Sequence, residues 1–268
     1  MTDDVSAKDL RQILASGRGV ATGVMLQHLR GDLIVHLARS SGIETLIIDM
    51  EHGTYGLDEV ASLITLARRL GLIPLVRPPD HTYAAIARFL DFGAHGIVAP
   101  RVSSAEDVRS IRSAMKYPPE GQRGMATQLG HADFGQVPDR LAFARRMNEF
   151  TQLIIQIELI EAIEAIDEIL SEPGVDAVLV GPGDLDLSVS VAGSGDLDSA
   201  IRRVLDAGEK HGVPVGIQHA DLAELARWRE AGMRLLVAGT DGALLSTAMT
   251  RVGHELQDLA ASPSHAER

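Results

Sequence analysis

QIELIEAIEAIDEILSEPGVDAVLVGPGDLDLS, residues 156–188, holds two similar junctions. LIIQIE (153–158) is a short apolar run that ends in a carboxylate, Glu158. DAVLVGPGD (176–184) is a second run, ending in a Gly-Pro-Gly turn and another carboxylate, Asp184. Between them IEAIEAIDEIL (160–170) is apolar at helical spacing and acidic elsewhere. The pattern predicts strand, helix, strand, with one acid just past each strand. Strands joined by a crossover helix run parallel, so both carboxylates emerge at the same end of the sheet. Gln156 precedes Glu158 by two residues and shares its strand face. Two acids and an amide at the carboxyl ends of parallel strands suit a hard divalent cation. On this stretch alone an equal alternative stands: Glu158 caps the helix and Asp184 serves a turn.

Outward from this stretch the same rhythm repeats. Strands are expected in GRGVATGVML (17–26), ETLIIDMEHG (44–53), LIPLVRPPD (72–80) and AHGIVAPRV (94–102) before it, and in VPVGIQ (213–218) and RLLVAGTD (234–241) after it. Amphipathic helices separate them, such as LDEVASLITLARRLG (57–71), which Gly71 stops, and SAEDVRSIRSAMK (104–116), which Ser104 caps. Further helices are expected at Asp9–Ser16, Leu33–Ser40 and in the last stretch, GALLSTAMTRVGHELQDLAA (242–261). The rhythm breaks in YPPEGQRGMATQLGHADFG (117–135), which has no clear period, and resumes with an inserted helix in VPDRLAFARRMNEF (137–150). LSVSVAGSGD (187–196) reads as another loop. Eight strands alternating with helices predict one α/β domain over residues 1–268, a (β/α)₈ barrel. A doubly wound sheet is the second choice, and it lacks a GxGxxG at its first strand–helix turn.

The composition bounds the function. Of 268 residues 45% are hydrophobic but only 3% aromatic, so the core must be mostly aliphatic. A formal charge of −12 argues against nucleic acid and anionic membranes as partners. The absence of cysteine excludes disulfides, thiolate metal sites and cysteine nucleophiles. Residues 1–10 are polar and acidic, without the apolar run of a signal peptide, and no apolar run is long enough to span a bilayer, so a cytoplasmic protein is expected.

Barrel active sites sit at the carboxyl ends of the strands. Those ends offer Asp49, Glu51, His52, Arg77, Arg101, Gln156, Glu158, Gly183, Asp184, Gln218 and Asp241. Two carboxylates, water and a bidentate ligand would complete an octahedral Mg²⁺, Mn²⁺ or Co²⁺ site. Arg77, fixed between PLV and PP, suits a carboxylate or enolate oxygen; its alternative is a surface ion pair. His52 suits a general base. His81 and His95 read as structural, His131 sits in the long loop within possible reach of a site, and His219 follows the seventh strand at the barrel mouth. The lysines are Lys8, Lys116 and Lys210, each on or beside a helix, so no strand-end lysine is offered for a Schiff base.

Several segments together resemble the HpcH/HpaI aldolase family, whose members include 4-hydroxy-2-oxoheptanedioate and 2-dehydro-3-deoxyglucarate aldolases. They are IIDMEHG (47–53), PLVRPP (74–79), GAHGIVAPRVSSAEDV (93–108), YPPEGQRGM (117–125), QIE (156–158), GVDAVLVGPGDLDLS (174–188) and LLVAGTDGALL (235–245). The resemblance implies a modified (β/α)₈ barrel of the phosphoenolpyruvate/pyruvate type. It implies a class II pyruvate aldolase, a lyase that cleaves a 4-hydroxy-2-oxo acid to pyruvate or hydroxypyruvate and an aldehyde through a metal enolate. By resemblance Glu158 and Asp184 hold one divalent metal per subunit, Arg77 binds the pyruvate oxygen, and His52 moves protons, oriented by Asp49. Gln156 lies beside metal and substrate, and the Gly183–Asp184 backbone receives the pyruvate carboxylate. A homo-oligomer, trimer or hexamer, is implied too, and the apolar ALLSTAM run (243–249) independently calls for a partner surface. The chain departs from the family pattern at Leu159, in MATQLGHADFG (125–135) and in a short 188–199 segment, near the expected aldehyde side. The alternatives are oxaloacetate decarboxylation or another lyase step through the same enolate, and a non-catalytic sugar-acid-binding barrel.

Overall fold

The computed structural model describes residues 9–15 and 19–261. Eight parallel strands close into a barrel in sequence order: β1 (Ala21–Leu26), β2 (Thr45–Asp49), β3 (Ile73–Arg77), β4 (Gly96–Ala99), β5 (Gln152–Ile157), β6 (Ala177–Val180), β7 (Val215–Gln218) and β8 (Leu235–Thr240). β8 pairs back onto β1, which removes any open edge. Around it run α1 (Leu10–Ala15), α2 (Leu33–Ser40), α3 (Leu57–Arg69), α4 (Tyr83–Asp91), α5 (Ala105–Met115), α6 (Arg140–Phe150), α7 (Ile160–Glu164), α8 (Ile166–Ser171), α9 (Pro182–Ala192), α10 (Leu197–His211), α11 (Leu222–Glu230) and α12 (Asp241–Ala261). This is the expected (β/α)₈ barrel. No helix among the described residues is long and apolar enough to cross a membrane.

The two-residue period of a strand divides its side chains between two layers. Met25, Ile47, Leu75, Val98, Ile154, Leu179 and Val237 fill the barrel interior. Their neighbours Leu46, Ile48, Val76, Ile97, Leu153 and Ile155 pack outward against the helices. Each such buried aliphatic side chain contributes about 1.5–3 kcal/mol relative to exposure. Leu10 and Leu14 of α1 join the interior cluster and so plug the amino-terminal end of the barrel. Arg11 ties that helix down, donating from Nη2 to the Thr151 carbonyl at 2.8 Å and to Asp176 Oδ2 at 3.1 Å.

The period also decides what reaches the carboxyl-terminal mouth. Ile47 and Leu75 are register partners, and one step on so are Asp49 and Arg77. Two residues beyond an inward aliphatic side chain, four of the strands therefore place a polar one into the lumen: Gln27 after Met25, Asp49 after Ile47, Arg77 after Leu75 and Gln156 after Ile154.

Two stretches differ from the sequence reading. The expected loop at 187–196 is largely helix, because α9 starts at Pro182 and runs to Ala192. Proline at its first position, Leu185 and Val189 buried one turn apart, and Gly193 in the left-handed conformation define it. The single helix expected over 160–170 is divided at Ala165 into α7 and α8. The insertion at 117–150 leaves from the amino-terminal side and packs Phe143, Ala144 and Met147 on Tyr117. Asn148 pins it, accepting from the Tyr117 amide at 2.7 Å and donating to the Tyr117 carbonyl at 3.0 Å. The tail after Ala261 and Ser16 at the end of the first helix lie outside the described residues.

Barrel closure leaves no room at Gly216 in β7, where a Cβ would stand 2.2 Å from the Leu235 carbonyl oxygen on β8. Gly216→Ala should lower stability by at least roughly 1–3 kcal/mol, the usual cost of overpacking. Chemical denaturation measures it; an unchanged midpoint would contradict this tight β7–β8 approach.

Candidate active site

Asp49 is the hub of the mouth. Its position as the last inward residue of β2 buries it completely. Arg77, the last inward residue of β3, grips it with two bonds, Nε to Oδ1 at 2.8 Å and Nη2 to Oδ2 at 2.7 Å. The Gln27 amide donates to Oδ2 at 2.7 Å, and the Glu51 and His52 backbone N–H groups donate to Oδ1 at 3.0 and 3.3 Å. Burial alone would raise the Asp49 pKa, but the Arg77 bonds and charge, with Gln27 and the His52 amide, hold it below the ordinary carboxylate value. Burial opposes the Arg77 charge in the same way, and Asp49, Glu51 and Glu158 more than restore it.

Glu158 follows β5 and is 2% exposed. Its Oε1 accepts from the Arg101 backbone N–H at 2.6 Å, and its Oε2 accepts from Gln156 Nε2. Arg101 reaches this position with φ +50°, so it serves the site through its main chain, and its side chain is exposed. Burial pushes the Glu158 pKa upward, and the nearby Glu51 charge adds to that, against the opposing Arg101 and Gln156 bonds. Gln156 bridges the two halves, its Oε1 lying 3.4 Å from Arg77 Nη1.

A cavity of about 490 Å³ opens over these residues. Arg77, Gln156 and Glu158 line it, together with His52, Gly183 and Asp184. The structure thus brings most of the sequence-derived candidates to one cavity. Asp184 sits in the first turn of α9, exposed, where carboxylates are favoured by the helix dipole. Gly181 lets β6 pass close to Glu158: a Cβ there would lie 2.9 Å from Gln156 Nε2 and 3.1 Å from Glu158 Oε2.

The donors at this end are oxygens, and one of them, Glu158, is a buried carboxylate held against its own charge. Such a set fits a hard divalent cation that keeps positions for water and a chelating ligand. Among the described residues no group of three or more His, Cys, Asp or Glu side chains is arranged to hold a metal. Glu158 and Asp184 would be its two protein carboxylates.

Three expectations are revised. Asp49 does not hold the His52 ring; both its oxygens are taken by Arg77, and it reaches only the His52 amide. The His52 side chain is 60% exposed, with Nε2 3.9 Å from Glu51 Oε2. The turn at Met50 and Glu51 removes the ring from the Asp49 face. Asp241 belongs to the scaffold: it accepts the backbone N–H groups of Gln27, His28, Leu29 and Gly242 and fixes the loop after β1. His131 is buried on the amino-terminal side, 3.1 Å from the Asp91 carbonyl and tilted against the Phe143 ring, away from the mouth. The two described lysines are also remote: Lys116 is pinned to the Asn148 and Thr151 carbonyls below β5, and Lys210 pairs with Asp167. Gln27 escapes the sequence reading, although its place two residues after Met25 signals it.

Asp49→Asn removes one member of a buried ion pair and should cost about 3–5 kcal/mol. Because Asp49 titrates below its unfolded value of 3.8, its contribution is fully present above that pH. It is lost as pH falls through the lower folded value. Acid unfolding curves should therefore be shallower for Asp49→Asn below about pH 4; parallel wild-type and variant curves would contradict the pairing.

Residues 27–248 match the family model described as HpcH/HpaI aldolase/citrate lyase. The chain is 34% identical over 215 residues to a hydroxypyruvate/pyruvate aldolase of Roseovarius nubinhibens, covering 77% of this chain and 81% of the relative. It is 30% identical over 226 residues to a 2-keto-3-deoxy-L-rhamnonate aldolase of Klebsiella pneumoniae, covering 81% and 82%. The crystal structure of an HpcH/HpaI aldolase from Desulfitobacterium hafniense superposes with a TM-score of 0.87 at 32% identity, covering 96% of this chain and 99% of that one. With the matched segment taking in the strand ends of the cavity from Gln27 to Thr240, the chain belongs to the HpcH/HpaI aldolase/citrate lyase family.

Proposed function

We propose that this chain is a divalent-metal-dependent aldolase that reversibly cleaves a 4-hydroxy-2-oxo acid to pyruvate, or hydroxypyruvate, and an aldehyde. The observation that carries the reading is a buried guanidinium, Arg77, locked by Asp49 and lining the same cavity as Glu158 and Asp184. The names of the relatives, aldolases acting on pyruvate, hydroxypyruvate and a keto-deoxy sugar acid, point the same way.

Glu158 and Asp184 are the residues that would hold the cation. When bound, a divalent cation supplies positive charge to the 2-oxo acid oxygens and so acidifies the neighbouring C–H. Arg77 adds charge at the developing enolate oxygen; with Nε and Nη2 on Asp49, Nη1 is the nitrogen turned to Gln156 and the lumen. Its orientation is fixed before substrate arrives, which limits reorganisation during reaction. In cleavage the C4 hydroxyl loses its proton, the C3–C4 bond breaks, and its electron pair moves into the C2 carbonyl to give the enolate. The aldehyde departs and C3 takes a proton. His52, exposed at the cavity edge and 3.9 Å from Glu51, is the group placed to exchange that proton with solvent. The Gly183 and Asp184 backbone at the start of α9 presents free N–H donors suited to the substrate carboxylate.

Retro-aldol assays over a panel of 4-hydroxy-2-oxo acids with Mg²⁺, Mn²⁺ or Co²⁺ test this directly. Turnover that a chelator abolishes is expected; binding without turnover would make the chain a sugar-acid binder. Arg77→Ala should lose about 10²–10³ in rate, and Arg77→Lys should not restore it, since an ammonium cannot hold Asp49 and the substrate together. Added cation should raise the thermal midpoint of the wild type and raise that of Glu158→Gln far less.

We further propose that the working form is a homo-oligomer. Leu245, Met249, Val252, Leu256 and Leu259 of α12 are all exposed and recur at helical spacing along one stripe. Met249→Glu with Leu256→Lys should shift the mass found by light scattering to that of one chain; a wild type already monomeric at micromolar concentration would end this reading.

A further inference from the structure

Resting on the metal-dependent reading, we infer that His81 and Arg101 are positioning residues for Glu158. They act through one peptide group, Pro100–Arg101. Its N–H end meets the Glu158 carboxylate, and its carbonyl end is gripped by the His81 ring.

The starting observation is a backbone conformation. Arg101 stands just past β4 with φ +50°, a region that L residues other than Gly enter rarely and at a cost. Such a residue persists where its surroundings over-determine it, and those surroundings are informative. The chain here must present the Arg101 N–H to Glu158 Oε1, 2.6 Å away, and then bury Val102 completely. It meets both demands with one left-handed residue. The N–H bond is charge-assisted and made where Glu158 is almost wholly out of water. Gln156 Nε2 donates to the other oxygen, Oε2. With one donor on each oxygen the plane of the carboxylate is fixed, and each oxygen keeps a lone pair for a ligand.

The opposite end of the same peptide is held as firmly. His81 Nε2 lies 2.6 Å from the Pro100 carbonyl oxygen. A carbonyl only accepts, so Nε2 carries the proton and donates. A trans peptide is planar, with its C=O and N–H on opposite sides. Holding the oxygen therefore sets the direction of the N–H, and hydrogen bonds in line polarise one another. His81 is itself placed by its neighbours: the Thr82 N–H and hydroxyl both donate to Asp80 Oδ1, at 2.8 and 2.6 Å. On the far side of Arg101, the Ser103 and Ser104 N–H groups each donate to Asp107 Oδ2 at 2.9 Å, which anchors the loop to the start of α5. His81 follows Arg77 by four residues, so the loop leaving β3 braces the β5 carboxylate as well as carrying the guanidinium.

The test is calorimetric titration of the metal-free full chain with Mn²⁺ alone, well below each thermal midpoint, with the midpoints recorded alongside. A wild type that binds no Mn²⁺ would overturn the metal reading itself. With wild-type binding present, His81→Leu should raise the Kd for Mn²⁺ about tenfold, the order of one hydrogen bond to a charged group. His81→Gln, which keeps an N–H donor, should recover most of that loss. Arg101→Val should weaken binding likewise, because a β-branched residue resists a positive φ. Arg101→Gly, which adopts it freely, should weaken binding far less. A purely structural role for the loop would lower the midpoints and leave the Kd of the folded protein unchanged. Wild-type affinity in both His81→Leu and Arg101→Val therefore overturns the inference, and so does equal weakening by Leu and Gln at position 81. Should Arg101→Val fail to fold, the His81 pair decides.

Discussion

The mouth of this barrel depends on the ion pair between Asp49 and Arg77. Both ions are taken almost wholly out of water, which for an isolated charge is prohibitive. The pair persists because geometry and hydrogen bonding are complete: a two-pronged guanidinium contact, one amide from Gln27 and two backbone N–H groups share the carboxylate. Each partner comes from a neighbouring element that strand pairing already fixes, since Asp49 and Arg77 are register partners on β2 and β3. The same carboxylate also shapes the turn after β2, and so sets where Glu51 and His52 stand. A single buried side chain thus orients the Arg77 guanidinium and the loop that carries Glu51 and His52.

The charge balance above that pair is uneven. Arg77 is the guanidinium in contact with Asp49 and Glu51, and Glu158 and Asp184 border the same cavity. One positive group stands among five carboxylates, Asp186 of the same cavity wall included. Burial already pushes Glu158 towards its neutral form, and Glu51 pushes it further. An excess of negative charge that the fold does not neutralise is a cost in stability, and a divalent cation is the simplest ligand that offsets it. On the proposed function, this unpaired charge at the mouth is what a bound cation would offset.

Much of this was legible in the sequence, for a definite reason. Fully buried strands of a barrel keep a strict two-residue period, so a polar residue two steps past an inward aliphatic one enters the lumen. That logic places Asp49, Arg77 and Gln156, and Gln27, just past the end of β1, obeys it too. What escaped depends on three-dimensional competition. The ring of His52 was expected to meet Asp49, but Arg77 occupies both oxygens and leaves the backbone amide alone to share them. Residues 187–196 looked like a loop because Ser, Val and Gly are weak helix formers. Burial of Leu185 and Val189 against the barrel overrides that propensity as far as Ala192. Asp241 read as a mouth residue because it ends a strand; its four backbone partners show that a strand-end carboxylate can equally serve the scaffold.

The two ends of the barrel make the division plain. At the amino-terminal end, Arg11 meets Asp176 and the Thr151 carbonyl, and Lys116 meets two carbonyls and the Thr151 hydroxyl. Lys116 is pulled down to about 8, chiefly by burial, a value that at the other end would suggest a nucleophile. Its three donors are already spent on structural acceptors, and α1 closes the lumen beside it. A shifted pKa there reports packing. At the carboxyl-terminal end Glu158, pushed up by burial, opens onto a cavity and is held by a backbone N–H and an amide rather than by a cationic side chain. The contrast separates the two meanings of an unusual titration: what marks the site is perturbation together with incomplete pairing and an open path to ligand.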